Sequence, residues 1–107
     1  MQDLEQRFEH EMVETVYRAT GRETGYWAGY FLKSVKAHGG VGAARRLLRK
    51  GGVSKGLVKL ASLDRLDLAM ESVVLREDFR PLFTDEEREM AARHLADARA
   101  AVARAPA

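Results

Sequence analysis

The chain has 107 residues, 46% of them hydrophobic and 32% charged, and a formal net charge of +2. That size and balance predict one domain with a single modest core and exclude disorder throughout. There is no cysteine, which removes disulfides, thiolate metal sites and cysteine nucleophiles together, and no apolar run reaches the roughly eighteen residues a membrane span needs.

The opening MQDLEQRFEHEM is acidic and amphipathic, whereas a secretory leader starts basic and continues apolar. The expected location is cytoplasmic. Leu4, Phe8, Met12 and Val16, with Val13 and Tyr17 beside them, recur at helical spacing and predict a first helix from Asp3 to Ala19, stopped by Gly21. Thr24 then reads as the N-cap of a second helix, about Gly25 to His38. On its wheel Trp27, Ala28, Phe31, Leu32 and Val35 share an inward arc, opposite Lys33 and Lys36. Gly39-Gly40 ends it.

A short third helix, Val41 to Arg49, places Val41, Ala44, Leu47 and Leu48 on one side and Arg45, Arg46, Arg49 and Lys50 on the other. Its like-charge i,i+4 pairs, Arg45 with Arg49 and Arg46 with Lys50, each cost about 0.2–0.5 kcal/mol unless an anion neutralises them. Gly51-Gly52 closes this helix. Ser54 caps another short one, about Lys55 to Ala61, with Lys55 and Lys59 along one edge. A helix beginning near Asp64 or Asp67 is apolar on nearly every side, interrupted mainly by Glu71 and Ser72, which predicts a central position. Phe79, Leu82 and Phe83 tuck inward around Pro81. The run TDEE at 84–87 is a capping box that opens a last helix to about Arg99, with Ala91, Leu95, Ala98 and Val102 as its seam. The expected fold is all-α, a bundle of five to six helices, two of them short, with no sheet. Residues 1–103 form one domain, 1–20 being an added N-terminal helix, and 104–107 fray.

Charge is unevenly distributed along this plan. Residues 33–65 hold nine Lys or Arg against Asp64 alone, and all five lysines of the protein lie there, while the flanking segments are net acidic. Two short helices joined by a Gly-Gly turn, presenting cations one turn apart, suit a phosphate backbone. The expected nucleic-acid contacts are Arg45, Arg46, Arg49 and Lys50, widened by Lys55 and Lys59 and extended by Lys33 and Lys36. The competing expectation is that carboxylates such as Glu5, Glu9, Glu86 and Glu89 neutralise this block internally.

Other chemistry finds little support. His10, His38 and His94 are far apart in sequence, and HEMVE at 10–14 has Glu14 where a zinc helix needs its second histidine, so no metal or cofactor is expected. The paired carboxylates sit at helix starts and turns. An enzyme would require a pocket that gathers His94 with carboxylates, and none is implied, so the expected protein is not an enzyme. GGVG at 39–42 ahead of a helix is half of a phosphate cradle without its Gly-Lys-Ser/Thr ending; amides near Val41 and Gly42 would hold one phosphate of a polymer. GVG is also similar to the hairpin of helix-hairpin-helix DNA-binding modules, whose usual alanine is Arg46 here.

The ordered blocks YWAGYFLKSVKAHGGVGAARRLL, GLVKL, RLDLAMESVVL and FRPLFTDEE, spanning about residues 26–95, resemble a helical module recurrent in bacterial proteins. There it is similar to a tail domain on larger proteins, some of restriction or defence type. The resemblance implies an accessory role near nucleic acids and brings no catalytic residues. The function expected is low-specificity binding of DNA or RNA backbone through the 45–59 surface. The alternative is a protein-interaction or homo-oligomerisation module docking through its first helix, and no membrane partner is expected.

Overall fold

Asp3 opens the first helix as a capping box. Its Oδ1 accepts from Gln6 N at 2.8 Å, and Gln6 Oε1 accepts from Asp3 N at 3.3 Å, so two amides that the helix leaves unpaired are satisfied reciprocally. The computed structural model describes residues 3–50 and 53–104. The Gly51-Gly52 pair and residues 105–107 of the expected frayed tail lie outside the described residues.

Helix α1, Leu4–Glu11, runs on through a π-helical stretch, Met12–Ala19, into α2, Thr20–Thr24. Gly21 does not stop it. The chain turns at Gly25, in the left-handed region at φ 77°, a conformation that costs glycine little. Thr24 therefore ends a helix instead of starting one. Its hydroxyl donates to the Thr20 carbonyl and accepts from Tyr26 N. The expected second and third helices are both present: the span α3, Gly29–Arg49, is two helices meeting at a kink at Gly39, whose φ 76° and ψ 169° are not helical, where the Gly39-Gly40 pair predicts the break. Helix α4, Lys55–Ser62, is capped by Ser54, whose Oγ accepts from Leu57 N at 3.1 Å.

The expected central helix is split. A 3₁₀ turn at Leu66–Leu68 precedes α5, Met70–Val74, and a second, Glu77–Leu82, leads to Phe83. The apolar run belongs in the middle, as its periodicity predicts, but two elements share it. Helix α6, Asp85–Arg104, starts with the expected box: Glu87 N donates to Thr84 Oγ1 at 3.1 Å, and Thr84 N to Glu87 Oε1 at 2.9 Å. The fold is an all-α bundle with short helices and, among the described residues, no strand. No helix in them is long and apolar enough to cross a membrane.

Two apolar clusters hold the bundle. The larger centres on Phe8, whose ring meets Phe79 and Phe83 edge-on at 5.2 and 5.1 Å, and takes in Met12, Val35, Leu48, Val73 and Val74. The smaller joins Leu57 and Leu60 of α4 to Leu66, Leu68, Leu95 and Ala98. Helix α4 thus packs on α6 rather than on α3, and a groove opens between the clusters.

Candidate functional site

The middle-block cations divide into two sets. Arg45 and Arg65 are matched internally. Arg45 Nε donates to Glu87 Oε2 at 3.1 Å and its Nη2 to the Leu82 carbonyl at 2.9 Å. Arg65 forks onto Asp67 and reaches Glu23 at 2.7 Å, and these partners raise its already high pKa further. Among the described residues, every ion pair is made by an arginine or by His94, and no lysine takes part. Arg46, Arg49, Lys50, Lys55 and Lys59 are exposed and make no ion pair among the described residues.

Arg45 thereby faces the start of α6 and not solvent alone, unlike the other arginines of the expected contact set. The cause is the TDEE box, which fixes Glu87 within its reach. Of the acids expected to neutralise the block, Glu5, Glu9, Glu86 and Glu89 pair with none of its cations among the described residues; the neutralising carboxylates are Glu87 for Arg45 and Glu23 with Asp67 for Arg65. Lys33 and Lys36 are exposed on the first half of α3. Lys36 lines a separate shallow cleft with Glu9, Arg18 and Tyr17, so it does not share a depression with Lys50 and Lys55.

The remaining five cations are placed by helix ends. Arg46 and Arg49 lie three residues apart in the last turn of α3, a spacing that brings side chains to one face, and Lys50 follows as its extended C-cap. There they also suit the negative end of the helix dipole. Lys55 does not have that excuse. It is the first residue of α4, whose first turn holds no acid, and a cation there opposes the dipole by about 0.3–1 kcal/mol. Helix stability therefore does not account for Lys55.

The expected phosphate cradle is already occupied. Glu9 of α1 crosses the break in α3, and its Oε1 accepts from Gly40 N at 2.9 Å. A carboxylate of the protein itself sits where the helix N-terminus would attract an anion. Gly40 through Gly42 are helical, so the hairpin similarity fails as well.

The groove between the clusters has a volume of about 710 Å³. Val16, Phe31, Leu57 and Met70 supply apolar walls, Lys50 and Lys55 line it from the ends of α3 and α4, and Tyr26, Trp27 and Tyr30 stand along it. Trp27 was expected in the core. It is 52% exposed, and Tyr30 is 91% exposed. The wheel that buried Trp27 assumed a helix from Gly25, but residues 25–28 are not helical, and Trp27 instead lies against the backbone of Gly21, edge-on to Tyr17 at 5.4 Å.

The groove also gathers His94 with a carboxylate, Glu71, whose Oε2 lies 3.0 Å from His94 Nδ1. Glu71 is only 8% exposed. Hydrogen bonding to Glu71 raises the His94 pKa above the usual histidine value; burial opposes the rise, Asp97 adds to it and Arg93 subtracts. Sequence reading missed this pair, although it held a signal: a carboxylate on a helix apolar nearly all round must find a partner when buried. The pair is a positioned donor and acceptor, and the described residues contain no cluster that would hold a metal ion. Comparison with known proteins finds no matching family model, no matching curated protein and no matching solved structure.

Proposed function

We propose that this protein binds nucleic-acid backbone through Arg46, Arg49, Lys50, Lys55 and Lys59, with little sequence specificity and without catalysing a reaction. The observation that carries this reading is the division of the basic block. The fold supplies carboxylates to Arg45 and Arg65 and leaves the other seven cations, these five among them, exposed and without a carboxylate partner among the described residues. Cations on two rigid helix ends, one turn apart, suit the regular charges of a phosphate chain. Lys55 supports the reading further, since its position weakens its own helix and an external anion would reverse that penalty.

The test is a fluorescence anisotropy titration with labelled single-stranded and duplex DNA and RNA at several salt concentrations. If all five cations reach phosphates, log affinity falls with log salt with a slope of about −3.5 for single strands and about −4.5 for duplex. Arg46→Glu with Arg49→Glu abolishes binding and leaves the fold intact. Unchanged binding in that variant, or affinity indifferent to salt, overturns the proposal. The protein-interaction alternative loses the docking face expected on the first helix, because Phe8 and Met12 are buried in the core, and draws instead on the exposed Trp27 and Tyr30; a dimer in light scattering that persists at high salt would favour it.

A further inference from the structure

The aromatic groove and the cationic surface share two residues. Lys50 and Lys55 belong to the five exposed cations of the proposed surface and also line the groove, so a chain whose phosphates rest on the surface passes directly over the opening. There it meets Tyr30, 91% exposed, and Trp27, 52% exposed. Large aromatic side chains left in water beside lysines are a costly arrangement for a lone domain, because each ring could bury about 150–250 Å² elsewhere. They are what a single strand needs: a flat apolar surface for a base and a cation for its phosphate.

We infer that the groove takes an unstacked base of single-stranded nucleic acid, with Trp27 and Tyr30 as the stacking wall and Lys50 and Lys55 holding the adjoining phosphates. This rests on the polyanion reading above and narrows it to a strand type. Duplex DNA hides its base faces and offers the groove nothing to stack, whereas a single strand offers them at every residue. The volume of about 710 Å³ is of the size that encloses a small organic group. The floor suits the polar edge of a base. Glu71 and His94 set an acceptor beside a donor, and His94 Nε2 has no partner among the described residues. No described side-chain nitrogen or oxygen is buried without a partner, so Nε2 keeps some access to solvent, and His94 is among the residues that line the groove. An apolar occupant would leave that pair desolvated and unanswered.

Trp27 is the only tryptophan, so its fluorescence reports the groove without a label. The full chain is titrated at low salt with a single-stranded oligonucleotide, the same sequence as duplex, and inorganic polyphosphate, which carries the charge without bases. Single strand is expected to quench Trp27 and to bind about fivefold or more tighter than duplex, and polyphosphate to bind without quenching. Tyr30→Ala is expected to remove about fivefold or more of the single-strand affinity while duplex and polyphosphate binding stay unchanged. That variant tests the base contact and not the fold, since Tyr30 is almost wholly exposed. Equal affinity and equal Trp27 response for all three ligands, or a Tyr30→Ala protein that binds single strand as well as wild type, overturns the inference and leaves the backbone reading standing. Failure of all three to bind sinks both. A concentration-dependent Trp27 shift with dimerisation assigns the groove to a second copy and also overturns it.

Discussion

Glu87 holds Arg45 Nε at 3.1 Å through Oε2 while its Oε1 accepts from Thr84 N at 2.9 Å. One carboxylate thus starts α6 and ties it to α3. Its side chain is 12% exposed against 41% for Arg45, so the pair is screened less than a surface contact. Arg45 belongs to the frame of the bundle, and the cations to either side of it belong to the surface.

Arg45→Ala should therefore cost stability and spare binding. It removes two charge-assisted hydrogen bonds at a half-screened position, worth together about 1–2 kcal/mol. Urea unfolding should show that loss, while the affinity for polyanions changes less than in Arg46→Ala or Arg49→Ala, which should leave the unfolding midpoint where it is.

Lys55→Glu should do the reverse. An acid at the first position of α4 gains from the dipole that Lys55 opposes, by about 0.3–1 kcal/mol, so the variant should melt slightly higher. The same change places an anion at the groove and should weaken polyanion binding. A rise in Tm with a fall in affinity is the signature of a residue kept for a ligand.

Two glycines should respond differently to alanine. At Gly40 a Cβ would sit 2.7 Å from Glu9 Cα, a backbone atom that cannot rotate away; overpacking should exceed the helix-propensity gain, for a net loss of about 2 kcal/mol. At Gly21 the Cβ would sit 2.2 Å from the Trp27 ring, which is half exposed and can swing out. Stability should change by less than about 1 kcal/mol, because the alanine gain offsets the lost Tyr17 contact. The Trp27 emission should shift to the red.

The Glu71–His94 pair should make stability depend on pH. The folded-state pKa of His94 lies above its unfolded value, near 6.5, so the pair contributes fully below about 6.5 and loses that contribution as pH rises through the folded value. The stability difference between wild type and His94→Gln should be larger at pH 6 than at pH 9, and an NMR titration should place the His94 midpoint above that of an exposed histidine.

The sequence alone determined the class of fold and most of its local punctuation. Helical periodicity, the TDEE box, the Ser54 cap and the inward Phe79 and Phe83 follow from contacts within a few residues, where chain geometry leaves little choice. It also exposed the charge asymmetry, since composition needs no fold. Helix ends were less evenly legible: Gly39 interrupts the helical backbone as its type predicts, whereas Gly21 looks like a stop but is a place where Trp27 lies on the backbone. Which cations remain free was decided only in three dimensions. Arg45 and Arg46 are neighbours in the chain, yet one meets a carboxylate 42 residues away and the other meets water. The groove, and the Glu71–His94 pair within it, arise for the same reason. They depend on α4 packing against α6, a long-range choice made by the apolar clusters as a whole, and no window of sequence contains it.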